Sequence, residues 1–113
     1  MHELSLILNI IQIANEEVQK HKAQQVDAIE LEIGDLSGVE YNCFDFAWNA
    51  AVSNTVLQKA EKRIHRKQGL SACAMCGQHF RVFQQYEPCP VCGNVLNDII
   101  SGHELKVKKL ILS

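Results

Sequence analysis

The chain has 113 residues, of which 47% are hydrophobic and 21% are charged, and its formal net charge is −2. This length is typical of a single domain, and the composition is that of a folded chain rather than a disordered one. The negative net charge provides no general attraction for nucleic acid or for an anionic membrane, so neither is an expected partner.

The amino-terminal region and the cysteines indicate the compartment. No run of about 18 uncharged apolar residues is present that would span a bilayer. The first residues also lack the basic segment and the cleavage site of a secretory signal. We therefore expect a cytoplasmic protein, in which closely spaced cysteines indicate metal binding rather than disulfides. The chain has five of them: Cys43, Cys73, Cys76, Cys89 and Cys92.

The first predicted element is a helix over residues 4–22. Its main apolar stripe consists of Leu4, Ile7, Leu8, Ile11, Ala14 and Val18. Three further apolar residues widen the stripe: Leu6, Ile10 and Ile13. We expect these side chains to form core and the helix to be covered on more than one side.

A strand is predicted next, over residues 27–33, because apolar and polar residues alternate strictly. Glu30 and Glu32 form its polar face, so the strand is expected to be half-buried. A turn follows over residues 34–38. A second helix is predicted from about residue 42 to residue 52, with these side chains buried: Phe44, Ala47, Trp48 and Ala51. Cys43 at its start is expected to be a small buried residue.

Two more strands are predicted in the remainder of the chain. Residues 59–67 carry five basic residues and one acid, which is typical of an exposed strand at a sheet edge that its charges blunt. Ile64 is its main apolar anchor, and Lys62 stands where an apolar strand residue would be natural. The final strand is expected to rejoin the first sheet, with Leu105, Val107 and Ile111 on one face.

An insert over residues 70–97 contains two C-x-x-C-G knuckles, Cys73 to Gly77 and Cys89 to Gly93, with twelve residues between the inner cysteines. Two intervening residues allow both thiolates of a knuckle to reach one ion, and the glycine tolerates a left-handed backbone. Four thiolates suit zinc in a closed, structural site. A thioredoxin-type redox pair would need a single C-x-x-C in a βαβ unit, and His79 is not needed as a ligand.

The amino terminus is a second candidate metal site. The α-amine of Met1, the amide nitrogen and imidazole of His2, and the amide of Glu3 can form a planar set of nitrogen donors, which favours Ni(II) or Cu(II). A histidine at position 2 is usually only a polar residue ahead of a helix, so this pattern by itself indicates little.

Four segments together resemble the HypA/HybF family of nickel metallochaperones in [NiFe] hydrogenase maturation. They are Met1 to Leu6, Leu31 to Glu40, the two knuckles, and Gly102 to Val107, in the order of the family. The resemblance implies an α+β fold in which two helices and a small sheet form a nickel domain, residues 1–68 with 99–113. A zinc-ribbon-like domain, residues 69–98, is inserted before the last strand.

The same resemblance implies the sites and the partners. His2 would be the principal nickel ligand, with Met1 and Glu3 assisting, and zinc would be held by Cys73, Cys76, Cys89 and Cys92. Nickel would pass to a HypB-type GTPase and to the hydrogenase large subunit, or in some organisms to urease. Members of the family occur as monomers and as homodimers.

The residues support binding and delivery rather than catalysis. The sequence has no Gly-rich phosphate loop and no readable nucleophile–base pair, so we expect no enzyme activity. One alternative is a zinc ribbon that binds nucleic acid through residues 59–67; the other is an adaptor whose zinc domain only contacts another protein.

Three further histidines, His21, His65 and His103, are expected at the surface. Of these, His103 is the one that could approach a transferred metal.

Overall fold

The computed structural model describes residues 2–113, with the backbone alone for His2. In chain order the elements are α1 (His2–Lys20), β1 (Val26–Gly34), α2 (Tyr41–Ala51), β2 (Glu61–Lys67), β3 (Leu70–Ala72), β4 (His79–Arg81), β5 (Asp98–Ser101) and β6 (Leu105–Leu112). One three-stranded sheet has the order β2-β1-β6 and a second has the order β4-β3-β5. The predicted α+β class, with two helices and small sheets, is confirmed.

The chain forms two compact units. Unit 1 comprises residues 1–31, 39–64 and 107–113, and unit 2 comprises residues 32–38 and 65–106. Among the described residues, no helix has the length and apolar character that crossing a bilayer requires.

The buried face of α1 is narrower than its apolar composition indicates. The buried residues are Ile7, Ile10, Ile11, Ala14 and Val18. Leu4, Leu8 and Ile13 are 39%, 54% and 42% exposed, so their predicted place in the core is wrong. Because successive helical residues are rotated by about 100°, Leu4 and Leu8 lie at the edge of the stripe that Ile7 and its neighbours define.

Helix α2 begins after Glu40, whose carboxylate accepts hydrogen bonds from the backbone N–H groups of Asn42 and Cys43, and thereby satisfies free donors of the first turn. Phe44 and Trp48 lie one turn apart on its buried face, and their rings stack with centroids 5.7 Å apart. Cys43 is exposed, which corrects its prediction as a buried residue, because it is rotated about 100° from Phe44.

Strand β1 is central in its sheet, and it is more buried than the sequence predicts. Ile29, Leu31 and Ile33 are at most 2% exposed, as the alternation indicates. Glu32 is also buried, because Lys67 and Lys106 approach its two carboxylate oxygens at 3.6 and 3.2 Å. The half-buried strand of the prediction is therefore covered on part of its polar face as well.

Strands β2 and β6 flank β1, so the predicted edge strand and the predicted return of the last strand to the first sheet are both confirmed. One detail of β6 differs. Lys108 and Lys109 are both exposed, and beyond them Leu110 and Leu112 are half-buried while Ile111 is exposed. The alternation of burial shifts by one residue, so Ile111 is exposed although it has the parity of Leu105 and Val107.

Unit 2 is built on an antiparallel sheet in which Ser71 of β3 lies opposite Phe80 of β4 and Ile99 of β5. Two of its segments approach each other very closely at Gly34 and Gly102. A Cβ atom added to Gly34 would lie 1.9 Å from the carbonyl oxygen of Gly102, which itself has a φ of 120°. Glycine is therefore required where the turn at the end of β1 meets the segment between β5 and β6.

Candidate metal centre

The two knuckles fold in the same way, as their matching sequences predict. In the first, the N–H of Cys73 donates to the carbonyl of Gln78 and the N–H of Gly77 donates to the carbonyl of Cys73, both at 2.9 Å. In the second, Cys89 makes the equivalent bonds with Asn94 and Gly93 at 2.9 and 2.8 Å. Gly77 and Gly93 have φ values of 77° and 79°, so each knuckle uses its glycine in the left-handed region.

The knuckles bring the four predicted zinc ligands together. All four Sγ atoms lie within 4.8 Å of one another. The Sγ atoms of Cys73 and Cys92 are 3.4 Å apart, and those of Cys76 and Cys89 are 3.7 Å apart. A tetrahedral zinc ion with bonds of about 2.3 Å holds its sulfur ligands about 3.8 Å from one another. The donor set therefore fits zinc in both chemistry and size.

One cysteine of each knuckle is buried and has a lowered pKa. The N–H of Cys76 donates to Sγ of Cys73 at 3.4 Å, which is the largest cause that lowers the pKa of Cys73 to about 6. Burial acts to raise the pKa of Cys89, but the N–H groups of Cys92 and Val91 outweigh it and the pKa of Cys89 is lowered. Both side chains are nearly inaccessible to solvent.

The other cysteine of each knuckle is exposed and favours its thiol form when no metal is bound. The N–H of Gln78 acts to lower the pKa of Cys76, but the sulfur of Cys73 and burial raise it to about 12. The N–H of Asn94 likewise acts to lower the pKa of Cys92, and the sulfur of Cys73 and burial raise it. Four thiolates at these distances therefore require a cation among them.

The loop that follows the second knuckle, residues 94–97, forms a hydrogen bond to the first knuckle; we call it the supporting loop. The backbone N–H of Ala74 donates to Oδ1 of Asn97 at 3.2 Å, and the side chain of Asn94 donates to the same oxygen at 3.0 Å. His79 is exposed on β4 and does not belong to the group of four ligands. The sequence alone does not reveal the role of these asparagines, because that role depends on a contact between segments about twenty residues apart.

Of the predicted nickel ligands, Met1 and the side chain of His2 lie outside the described residues. Glu3 is half-buried, and its Oε2 atom is 3.5 Å from the backbone nitrogen of Glu40. The amino-terminal turns of α1 and α2 are thus neighbours, and Cys43 is beside them. A hydrogen bond to Glu40 raises the pKa of the Cys43 thiol, and the charges of Glu40 and Glu3 add to this effect.

Glu40 and Cys43 thus lie near Glu3, and neither is among the predicted site residues. The sequence carries one usable signal for Glu40, an acidic residue directly before a predicted helix, which is typical of a helix cap.

The basic run, residues 59–67, forms ion pairs within the protein. Arg63 contacts Glu61 at 2.9 Å, and Lys67 contacts Glu32 at 3.6 Å. Strand β2 therefore has acidic partners for its charges, which favours the blunted sheet edge over a patch for nucleic acid. His103 is exposed, and its Nε2 atom lies 3.5 Å from Nε2 of Gln85.

The fold and the centre together define the class: a small α+β protein with a zinc-ribbon-like cluster of four cysteines suited to a metal ion. Residues 1–112 match the family model described as HypA, hydrogenase/urease nickel incorporation, metallochaperone. The chain therefore belongs to the HypA family of hydrogenase maturation factors.

Two relatives agree with this assignment, and a solved structure agrees with the fold. The hydrogenase maturation factor HypA of Parabacteroides distasonis is 38% identical over 112 residues, covering 99% of this chain and 97% of the relative. The HypA of Geotalea uraniireducens is 39% identical over 110 residues, covering 97% of each chain. The solution structure of the Ni metallochaperone HypA from Helicobacter pylori is similar in fold, with a TM-score of 0.68, 21% identity and coverage of 97% of this chain and 96% of that one.

Proposed function

We propose that this protein binds Ni(II) at its amino terminus and delivers it during the maturation of [NiFe] hydrogenase, in the cytoplasm and without catalysis of its own. Membership of the HypA family over residues 1–112 carries the proposal. The residues that family membership brings into play are Met1, His2 and Glu3 for nickel, and the four knuckle cysteines for zinc. Urease is the second recipient that the family description allows.

The chemistry of the amino terminus supports nickel as the cargo. The α-amine of Met1, the amide nitrogen and imidazole of His2, and the amide of Glu3 offer nitrogen donors in a plane, and such donors select Ni(II) or Cu(II). A planar site leaves the ion accessible from its open sides, which suits exchange of ligands with a recipient. Protons compete for the amine and the imidazole, so nickel affinity falls as the pH is lowered through their range of titration.

The four cysteines serve a different purpose. Zinc bound by four thiolates is a closed crosslink with no position for a substrate. Around it, the knuckle N–H groups stabilise the thiolates of Cys73 and Cys89, and Asn97 ties the second knuckle to Ala74. These residues therefore maintain the shape of the insert. We propose the functional division as residues 1–68 with 99–113 for nickel and residues 69–98 for zinc.

The recipients follow from the family. We propose a HypB-type GTPase and the hydrogenase large subunit as partners, with the protein acting as a monomer or a homodimer. A maturation factor that carries nickel must release it on contact with a partner. We therefore expect nickel transfer to depend on that contact rather than on chemistry within this chain.

The test is a nickel titration of zinc-loaded protein with a native amino terminus, beside the same protein with an amino-terminal extension. The extension converts the α-amine into an amide and moves His2 away from the terminus, so nickel binding should be lost while one zinc ion is retained. His2→Ala should also abolish tight nickel binding.

His21→Ala provides the matched control, because His21 is an exposed histidine in the turn directly after the same helix. Its nickel affinity should equal that of the parent protein. Equal nickel affinity of the His2→Ala and parent proteins would refute the amino-terminal site.

A further inference from the structure

The two knuckles and the loop after the second one carry apolar side chains that are exposed to solvent. Met75 and Val91 occupy the same position in the two knuckles, directly before Cys76 and Cys92, and they are 79% and 68% exposed. Leu96, in the loop that follows the second knuckle, is 71% exposed. We call Met75, Val91 and Leu96 the knuckle rim.

The three residues of the knuckle rim adjoin the segments that form one sulfur cluster. Met75 follows Ala74, whose N–H donates to the side chain of Asn97, the residue after Leu96. Met75 and Leu96 therefore flank a hydrogen-bonded pair. Val91 is joined to Cys92, whose sulfur lies 3.4 Å from that of Cys73 in the first knuckle. Three large apolar residues are thus next to segments that hold the sulfur cluster together, and two of the four sulfur atoms belong to exposed cysteines.

The centre inside the rim is negative. A zinc ion with four thiolates retains two negative charges. Neither knuckle contains Lys or Arg, and Asp98 follows the supporting loop directly. The one basic residue of residues 69–101 other than histidine is Arg81, whose guanidinium lies over the ring of Phe83 and 3.8 Å from Asp35.

We propose that the knuckle rim is a docking surface for a partner polypeptide that presents a Lys or Arg side chain flanked by apolar residues. The cation offsets the charge of the metal–thiolate centre, and the rim excludes water around it, which strengthens the attraction. Arginine suits this position best, because its guanidinium is weakly hydrated and carries several donors. Nucleic acid and anionic membranes are both repelled by the same charge.

This inference does not depend on nickel, and its test uses zinc-loaded, nickel-free, full-length protein. A library of random dodecapeptides displayed on phage is selected on the immobilised protein, and recovered peptides are synthesised with a fluorescent label and titrated. We expect enrichment of Lys or Arg with apolar neighbours. In Met75→Ser/Leu96→Ser the affinity should fall about tenfold or more, because two apolar contacts are lost.

The matched control is Leu8→Ser/Phe46→Ser, which removes two exposed apolar side chains from unit 1; its affinity should stay within about twofold of the parent. Val91→Lys gives a second, independent variant that places a repelling cation on the rim. Zinc content and amide NMR spectra verify the fold of each protein.

Four results would overturn the proposal. They are recovery of no peptide, recovery of peptides without basic residues, equal binding by the rim variants, and self-association of the parent protein that Met75→Ser/Leu96→Ser abolishes in sedimentation. The last result would assign the rim to a second copy of this chain.

Discussion

Lys62 is a charged residue at a position of β2 where an apolar side chain would be natural. Its Nζ atom lies 5.3 Å from the ring centroid of Phe44 and 5.5 Å from that of Trp48, and it forms an ion pair with Asp45. Only 17% of the side chain is exposed. The methylene stem therefore covers aromatic surface while the ammonium group reaches a carboxylate and two ring faces.

Glu40 provides the first prediction at this scale. Hydrogen bonds from the Cys43 side chain and then from the N–H groups of Cys43 and Asn42 lower its pKa from 4.5. A carboxylate whose pKa is depressed by folding stabilises the fold above its unfolded pKa, and this contribution is lost as the pH falls through the folded pKa. The stability advantage of the parent over Glu40→Gln should therefore be full near neutral pH and shrink below pH 4.5.

Urea unfolding of both proteins between pH 7 and pH 3 measures this difference. Acid removes zinc from both proteins alike, so the difference between their free energies of unfolding reports the contribution of the Glu40 carboxylate. Glu16→Gln, which removes a carboxylate from the exposed surface of α1 and away from the cap, is the matched control for the loss of a charge. A parent-minus-Glu40→Gln difference that stays constant across the range would contradict the role of the charge.

At the scale of elements, the glycines of unit 2 determine how closely segments approach. The turn after β1 and the segment between β5 and β6 meet with no room for a side chain, since a Cβ on Gly34 would overlap the Gly102 carbonyl. A Cβ on Gly102 would in turn lie 2.8 Å from the Cα atom of Gly69 and 3.0 Å from Leu36. The two glycines of the turn over residues 34–38 are needed for different reasons. Gly34 is needed for space, and Gly38 for its positive φ.

Gly34→Ala should destabilise the zinc-loaded protein by about 2 kcal/mol or more, because the backbone must move to admit the methyl group. Gly38→Ala is the matched comparison in the same turn. Its Cβ would meet nothing within 4 Å, although its φ of 83° remains unfavourable for alanine. We expect a cost near 1 kcal/mol for Gly38→Ala. Equal unfolding midpoints of the two variants would show that the close approach is relaxed in solution.

At the scale of the molecule, the two units differ in what stabilises them. The core of unit 1 is formed by large side chains, which include Ile7, Ile29, Phe44, Trp48 and Leu57. Between residues 65 and 106, the buried apolar residues among those described are Cys73, Val82 and Cys89. Two of these three belong to the cluster of four cysteines suited to a metal ion, so we expect this part of the chain to depend on a bound metal for its core.

Removal of the metal by a strong chelator should therefore unfold the knuckles and leave the helices folded. Amide hydrogen exchange of residues 70–101 should lose most of its protection, while α1 and α2 keep theirs. Cys73→Ser should reproduce the pattern without chelator, and Cys43→Ser should not, because Cys43 is distant in sequence from the knuckles and outside the sulfur cluster. Protection of residues 70–101 in the metal-free protein would show that their packing suffices.

Local pattern alone determined much of this protein. The helical spacing of apolar residues predicted α1 and α2, strict alternation predicted β1, and the paired C-x-x-C-G knuckles predicted a four-sulfur cluster. These features could be derived because helix, strand and knuckle each depend on residues a few positions apart, where backbone hydrogen bonds and side-chain direction repeat with a fixed period.

Tertiary structure decided what depends on segments far apart in the chain. The burial of Glu32 follows from its ion pairs with Lys67 and Lys106, and the exposure of Leu8 follows from the direction in which α1 meets its neighbours. The pairing of Asn97 with Ala74 is another such contact. A periodic pattern shows which side chains are able to be buried, but only the packing of distant elements decides which of them lose contact with water.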